Sequence, residues 1–229
     1  RRQRQMCIRD RLWNAAGCEV TLLIRKDRVL STWERRASMT LTRELKRRGV
    51  NVIARTAVDR VDTGANLGAT VHYRQGDSDE DRTAYGEVVL AAIGRVPNTD
   101  ADWFRSSGLK LDERGYVTVD GYGRTNLDGV WALGDITPGH ALAHRAFEQG
   151  ITIAEKIAGA DPKPVLDDTV PQVVFSFPEA ASVGLTLDQA KAREDVVEPK
   201  ETAYPMLSNA RMLMSGEGGS MTVVSGAFA

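Results

Sequence analysis

A glycine and an aspartate directly follow an apolar run in the stretch Val130–Ile136, VWALGDI, and this pair offers the clearest chemistry in the sequence. If Val130–Leu133 is a central parallel strand, Gly134 lets a ligand approach the backbone and Asp135 presents a carboxylate at the strand's carboxyl end. Ligands of open α/β sheets bind at such strand ends. A carboxylate there suits a polyol, because a hydroxyl donates a strong hydrogen bond to a charged acceptor. The alternative is that Asp135 only caps the next helix.

A helix predicted from His140 to Ala158 is the second element with a chemical use. Its first N–H groups lack partners and its dipole places about half a positive charge at that end, which favours an anion or an electron-rich ring. His140 and His144 lie four residues apart, but without a third donor they do not predict a metal site. We therefore expect no metal.

Composition excludes several classes of partner. The chain has 229 residues, of which 30 are basic and 31 acidic, so its net charge of −1 favours neither nucleic acid nor an anionic membrane. No apolar run approaches the ~18 residues of a membrane span, and the first residues lack the apolar core of a secretory signal. Cys7 and Cys18 have no metal-binding or C-x-x-C spacing. We therefore expect a cytoplasmic protein that binds neither nucleic acid nor membrane.

Two passages from helix to strand open the chain. The run CEVTLLI, Cys18–Ile24, predicts a buried strand after a helix that ends within WNAAG. Apolar residues at helical spacing then predict a second helix, which stops at Gly49 and leads into a strand from Val50 to Ile53. This alternation predicts an α/β fold. The apolar residues of the second helix are Met39, Leu41 and Leu45.

Short alternating runs between Ala57 and Ile93 predict a small antiparallel meander that returns to a buried strand in EVVLAAIG. We place a domain boundary near Gly94, after which GYVTVDGYGRT predicts another pair of strands before VWALGDI. The run GADPKPVLDDTVP has the composition of a linker. A third unit, with a strand and a helix in QVVFSFPEAASVGLTLDQAKA, then starts near Pro171.

Three sequence blocks are informative together, in this order and spacing: AAIGRVPNT (91–99), RTNLDGVWALGDI (124–136) and VPQVVFSFPEAASVGLTLDQA (170–190). They resemble the pyridine nucleotide-disulfide oxidoreductases, the family of glutathione reductase, mercuric reductase and dihydrolipoyl dehydrogenase. The resemblance covers Leu12 to Val224. It implies a partial Rossmann-like NAD(P)-binding domain at 1–93, the second segment of an FAD-binding domain at 94–166, and a partial α+β dimerisation domain at 167–229.

The same resemblance implies FAD as a cofactor and assigns residues to it. Asp135 resembles the acid that binds the ribitol of FAD, with Gly134 permitting close approach. Leu142, Ala143 and His144 match the helix start that meets the flavin, where helix polarity stabilises the reduced, anionic ring. Two residues of the first block are expected at the cofactor as well, Gly94 and Arg95.

A nicotinamide coenzyme, NAD or NADP, is the second cofactor that the resemblance implies. In NAD-binding Rossmann units an acid at the end of the second strand binds the ribose 2′-hydroxyl, whereas a nearby Arg accommodates a 2′-phosphate. Here the strand ends at Ile24, where NAD-using relatives carry Glu, and Arg25 and Lys26 follow. This predicts a modest NADPH preference or use of both coenzymes, unless RKDR is only a solvated turn. Val174 and Phe175 match the strand that passes near the nicotinamide.

The run YPMLSNARMLMSGEGGSMTVV resembles the dihydrolipoyl dehydrogenase branch of the family. That branch implies hydride transfer between a nicotinamide and a dithiol or disulfide through FAD, in a homodimer that serves a 2-oxo acid dehydrogenase complex. The alternatives are an enzyme like glutathione or mercuric reductase, a quinone reductase flavoprotein, and a non-catalytic binding or assembly module formed by the chain alone.

Several motifs of the family do not occur in this sequence. The G-x-G-x-x-G turns, the C-x-x-x-x-C redox pair and the terminal His-Glu pair are absent. We therefore expect the chain to be a fragment of a longer enzyme and to be inactive as a disulfide reductase by itself. Its residues 1–11 do not match the family, and we expect them to be foreign to it.

Overall fold

The computed structural model of the chain describes residues 12–64, 68–216 and 218–228. Within these ranges the backbone forms two compact units, one at 92–172 and the other combining 12–91 with 173–228. Their mixture of helices and strands confirms the predicted α/β class. The division into domains at 1–93, 94–166 and 167–229 stays a prediction, and the expectation for residues 1–11 lies outside the described residues.

The unit that contains residue 12 begins with two parallel strands joined by a helix. Residues 12–15 are helical (α1), and β1, Thr21–Ile24, pairs in parallel with β2, Asn51–Ala54. Helix α2, Arg35–Arg47, connects them, and the Glu34 side chain caps it by accepting hydrogen bonds from two backbone N–H groups of its first turn. Both predicted helix-to-strand passages are confirmed, although the first strand begins later than predicted.

Helix α2 buries one apolar face. Leu41 and Leu45 are each 1% exposed, as their spacing predicts, but the placement of Met39 on the same face was wrong, because its side chain is exposed. Residues two positions apart on a helix point about 200° from each other, so Met39 faces away from Leu41. The buried apolar cluster of this unit comprises Val20, Leu22, Ile24, Val29, Leu30, Leu41, Leu45, Val50, Val52 and, from a later strand, Val174.

Three antiparallel strands follow and confirm the predicted meander. They are β3 (Thr56–Thr63), β4 (Ala69–Gln75) and β5 (Arg82–Gly86), in the order β3-β4-β5. Arg74 on β4 donates hydrogen bonds to Asp59 on β3, and these bonds hold the pKa of the Asp59 carboxyl below its usual range. The outer face of the meander is therefore charged.

The run at 87–94, EVVLAAIG, is irregular, so the prediction of a buried strand there was wrong. Its apolar side chains, among them Val88 and Ile93, are exposed. In the part of the chain that the structure describes, no strand pairs with this run. It therefore lacks both the hydrogen-bond ladder and the covering layers that a buried strand requires.

The unit at 92–172 has two helices and a small apolar core. Helix α3 spans Asp102–Arg105 and helix α4 spans Ala143–Ile157, so the long predicted helix is confirmed but begins three residues after His140. The apolar residues of the core that are buried are Phe104, Val117 and Ala132.

The strand predicted at Val130–Leu133 is not formed as a regular strand, and that prediction was wrong. Trp131 makes an isolated antiparallel bridge to Arg124, and isolated bridges also replace the strand pair predicted in GYVTVDGYGRT. Among the described residues no strand lies beside this run to build a parallel ladder. The chain instead continues from it into a single 3₁₀ turn, Gly134–Ile136.

The last segment belongs to the unit that contains residue 12. A strand and a helix form here as predicted, and Thr186 and Gln189 form a capping box at the helix start, while the prediction of a separate third unit near Pro171 stays a prediction. None of the helices in the described ranges is both long and apolar enough to cross a membrane. The elements are β6 (Gln172–Val174), β7 (Ala180–Ser182), α5 (Leu187–Lys191), β8 (Val196–Pro205), α6 (Ala210–Ser215) and β9 (Ser220–Phe228).

Candidate cofactor site

Gly134 occupies a position that only glycine fits without strain. Its φ is +72°, in the left-handed region, and a Cβ there would lie 3.2 Å from the Cβ of Ala146 on helix α4. Its backbone N–H donates a 2.9 Å hydrogen bond to the Gln149 side chain, also on α4. The turn therefore packs directly against helix α4, and a residue with a side chain at position 134 would prevent this close contact.

Asp135 follows in the same turn with its carboxylate half-exposed. The side chain is 50% exposed, and its Oδ2 lies 3.0 Å from the Arg95 guanidinium. Helix α4 has Leu142 at its N-cap and no side-chain cap, so the alternative that Asp135 caps this helix is not observed. Two residues predicted at the cofactor, Asp135 and Arg95, are thus brought into contact.

The start of helix α4 keeps free hydrogen-bonding capacity. Leu142 is buried, Ala143 and His144 are exposed, and the N-cap residue Leu142 has no side-chain atom that accepts from the first N–H groups of the helix. Those N–H groups and the helix dipole together make a positive, donor-rich end. Because the helix has 15 residues, it is long enough to form a stable first turn with its full dipole at this end.

The two histidines near the helix start each have a separate partner. His144 Nε2 lies 2.8 Å from the Pro171 carbonyl oxygen, and His140 Nε2 lies 3.2 Å from the Gln172 side-chain nitrogen. They therefore do not converge on one ligand. Within the ranges that the structure covers, no cluster of three His, Cys, Asp or Glu side chains has the arrangement of a metal site.

The residues predicted at the nicotinamide coenzyme lie in the other unit. Ile24 is buried at the end of β1, and the next two residues, Arg25 and Lys26, are exposed and form no ion pair with any described residue. Asp27, whose negative charge would oppose a phosphate, is paired with its neighbour Arg28 at 2.8 Å.

The strand predicted near the nicotinamide presents its residues differently. Val174 is 0% exposed and packs within the apolar cluster, whereas Phe175 is exposed. A ligand at this strand would therefore meet Phe175 rather than the Val174 side chain.

Comparison with known proteins identifies the family. The profile of the family described as pyridine nucleotide-disulphide oxidoreductase matches residues 11–150. The chain belongs to this family. The resemblance recognised in its three sequence blocks is thereby confirmed.

The curated relatives of this pyridine nucleotide-disulphide oxidoreductase chain include dihydrolipoyl dehydrogenases. That of Cupriavidus necator is 35% identical over 206 residues, covering 90% of this chain and 42% of the relative. That of Geobacillus stearothermophilus is 39% identical over 202 residues, covering 86% of this chain and 41% of the relative. The chain thus spans about two fifths of the length of these relatives.

Solved structures agree on the fold. LpdA from Mycobacterium tuberculosis superposes with a TM-score of 0.85 at 28% identity, over 96% of this chain and 47% of that protein. The HOCl-induced flavoprotein disulfide reductase RclA from Escherichia coli superposes with a TM-score of 0.80 over 95% of this chain and 48% of its own. At 24% identity RclA supports the fold alone.

A buried arginine, not predicted from the sequence, lies against the loop that follows the Gly134–Asp135 turn. The Arg145 side chain on α4 is 7% exposed, and its Nε lies 2.7 Å from an Asp167 carboxylate oxygen. Sequence patterns indicate charge but not burial, so the charge of Arg145 did not indicate that its side chain is buried. The only available signal was the spacing of Arg145 and Gln149, which places both on one side of the helix.

Within the unit at 92–172, four of the predicted features form one arrangement. A glycine turn, a half-exposed carboxylate, a guanidinium and an uncapped helix start are held together by contacts between the turn and α4. The carboxylate can accept hydrogen bonds from hydroxyl groups, and the helix start can donate to an electron-rich ring. These donors and acceptors fit the ribitol and the flavin of FAD.

Proposed function

We propose that the protein containing this chain is an FAD-dependent oxidoreductase of the dihydrolipoyl dehydrogenase kind. It would transfer hydride between a nicotinamide coenzyme and a dithiol or disulfide. The observation that carries the proposal is the Gly134–Asp135 turn packed against α4, with a half-exposed carboxylate in the turn and a free helix start in the same unit. Relatives named dihydrolipoyl dehydrogenase, at 35% and 39% identity, support the same chemistry.

Asp135 is the proposed acceptor for ribitol hydroxyl groups. Its present partner, Arg95, forms with it an ion pair in which both side chains are about half exposed. Such a surface pair contributes about 0–1 kcal/mol, whereas a hydrogen bond to a charged acceptor contributes about 1.5–3 kcal/mol. Hydroxyl groups can therefore replace Arg95 at one carboxylate oxygen, and Arg95 remains beside the site as a positive charge.

The start of α4 is the proposed contact of the flavin ring. Bound FAD supplies the hydride chemistry, and the chain's own contribution is to bind and orient it. The first N–H groups of the helix, at Ala143 and His144 after the N-cap residue Leu142, provide donors and a positive dipole end, which favour extra negative charge on the ring. Gly94, next to Arg95, is proposed at the same site.

Arg25 and Lys26 are the proposed contacts of a 2′-phosphate on the coenzyme. They follow β1 without ion-pair partners among the described residues, and the neighbouring Asp27 is paired with Arg28. Because Ile24 provides no carboxylate at the strand end, nothing at that position repels a phosphate. We propose a modest NADPH preference or dual use, which also makes a reductase of the glutathione reductase kind the second candidate.

The assembly and location of the whole protein follow from the same proposal. A dihydrolipoyl dehydrogenase of this kind would be a cytoplasmic homodimer that serves a 2-oxo acid dehydrogenase complex. The relatives' names support the enzyme class from which this proposal is drawn.

The test is to purify the protein that contains this chain and assay it with several acceptors. We expect bound yellow flavin and turnover of dihydrolipoamide with NAD or NADP, and much slower turnover with glutathione disulfide or a quinone. Turnover with the quinone alone would mean that the substrate is a quinone and not a dithiol. A folded protein that neither contains nor takes up FAD would overturn the proposal as a whole.

Replacing Arg25 with glutamate is expected to shift the coenzyme preference toward NADH. The new carboxylate would repel a 2′-phosphate and accept a ribose hydroxyl, so kcat/KM for NADPH should fall about tenfold or more relative to NADH. The matched control is Lys163→Glu, which makes the same charge change at an exposed lysine elsewhere in the chain. Equal kcat/KM ratios in wild type and Arg25→Glu would show that the RKDR segment is only a solvated turn.

A further inference from the structure

The loop between Gly134 and Leu142 is held from below by one buried side chain. The Arg145 guanidinium donates through Nε to Asp167 at 2.7 Å and through a terminal nitrogen to the Pro138 carbonyl oxygen at 2.7 Å. The other terminal nitrogen lies 3.5 Å from the Gln149 side-chain oxygen. An arginine is suited to this place, because it presents donors in a rigid plane and remains charged when buried.

Two further hydrogen bonds extend this restraint along the loop. The second carboxylate oxygen of Asp167 accepts the His140 backbone N–H at 3.2 Å, next to the start of α4. The Gln149 oxygen near Arg145 also accepts the Gly134 N–H at 2.9 Å, at the other end of the loop. The Arg145 network therefore reaches both ends of the segment, the turn that holds Asp135 and the approach to the helix.

Gly139 shows how closely the loop backbone lies on this pair. Its φ is +115°, and a Cβ at this position would overlap both the Arg145 guanidinium and the Asp167 carboxylate. No other residue type fits there without displacing the ion pair. The backbone at 138–140 therefore packs directly against the charged pair and forms hydrogen bonds with it.

We propose that Arg145, together with Asp167, is a positioning residue for the flavin site. By fixing the loop, the pair sets the position of the Asp135 carboxylate relative to the start of α4, the two elements that FAD would contact at the same time. This inference rests on the proposed function. It adds that binding depends on an ion pair between a buried arginine and a partly exposed aspartate, which touches neither the ribitol nor the flavin directly.

The physical reason is that FAD would contact Asp135 and the start of α4 at the same time. Displacing one of them relative to the other therefore weakens FAD binding. Removing Arg145 leaves Asp167 without its cation and Pro138 without its donor, so the loop can move away from α4. A cofactor that spans both elements then contacts the carboxylate or the helix end, but not both in good geometry. Since a misplacement of about 1 Å already weakens such contacts strongly, binding should fall although every contacting residue is intact.

The experiment compares Arg145→Met, Asp167→Asn and a control in the protein that contains this chain. The control is Lys156→Met, which removes a second ion pair of the same helix, Lys156 with Asp161 at 3.0 Å. Backbone amide hydrogen exchange is measured without cofactor, and FAD affinity and the reduction potential of bound flavin are measured separately. Asp167→Asn is the milder change, because the Asp167 side chain is 40% exposed, and it decides the outcome if Arg145→Met does not fold.

We expect both variants to accelerate exchange of the His140 amide about tenfold or more, while amides of α2 stay protected. Asp167→Asn removes the charge of the acceptor of this amide, and Arg145→Met removes the contact that holds this acceptor in place. The dissociation constant for FAD should rise about tenfold. The flavin that still binds should have a more negative reduction potential, since the positive helix end is no longer held against it. The double variant should be no worse than Arg145→Met alone.

Unchanged His140 exchange and unchanged FAD affinity in folded variants would overturn the positioning role, and so would equal effects in Lys156→Met. Uniform loss of protection across the whole unit, with a normal flavin potential, would show that Arg145 only stabilises the fold. A wild type without affinity for FAD would instead overturn the proposed function, and the flavin role of Arg145 with it. The two failures are therefore distinguishable.

Discussion

Replacing Asp135 with alanine is expected to weaken FAD binding by about 1–3 kcal/mol, or roughly 5- to 150-fold in dissociation constant. The carboxylate is the charged acceptor beside the glycine turn, and alanine offers the ribitol hydroxyls no replacement. The fold should tolerate the change, because the side chain is half-exposed and its ion pair with Arg95 contributes little.

The measurement is a titration of the cofactor-free protein with FAD, in which flavin fluorescence reports binding. Asp135→Asn keeps the shape and one acceptor oxygen but removes the charge, so it should fall between wild type and Asp135→Ala. The matched control is Asp128→Ala, at an exposed aspartate of the preceding loop. If Asp135→Ala binds FAD as tightly as Asp128→Ala does, this aspartate is not the ribitol acceptor.

Local sequence patterns correctly predicted the elements that form among neighbouring residues. Helix α2 and helix α4 repeat apolar residues at helical spacing, and β3–β5 alternate within short runs, so each was recognised from a few neighbouring residues. Met39 was misplaced because it is apolar but lies off the buried face of its helix. Composition identifies an apolar side chain, while only its angle around the helix decides burial.

The runs 87–94 and 130–133 failed as strand predictions for a different reason. A buried strand is defined by neighbours on both sides, and its apolar sequence indicates only that it could be covered. In the described residues neither run has a strand beside it. Helices form their hydrogen bonds within the segment, so they do not depend on distant partners in this way.

The residues of the candidate site that were predicted and those that were missed differ in the same way. Gly134 and Asp135 were found because a glycine and an acid after an apolar run is a local pattern with a chemical meaning. Arg145 and Asp167 were missed because 22 residues separate them and neither belongs to a motif. Their pairing depends on the fold bringing the linker back to α4, which no local pattern records.

The apolar cluster gives the largest expected effect on stability. Leu45→Ala should lower the free energy of unfolding by about 2–5 kcal/mol, since the side chain is 1% exposed and its removal leaves a cavity among close-packed neighbours. The control is Leu207→Ala, an exposed leucine of the same unit, which should change stability by less than about 0.5 kcal/mol.

The loss should be confined to one of the two compact units. Amide exchange in β1 and β2 should accelerate in Leu45→Ala, while exchange in α4, which belongs to the other unit, should stay close to that of wild type. Val174→Ala should destabilise the same amides by about 1–3 kcal/mol, because Val174 packs into the cluster from the last segment of the chain. If Val174→Ala leaves β1 and β2 unaffected, the first and last segments do not share a core, and the unit that joins them in this structure is not a cooperative unit in solution.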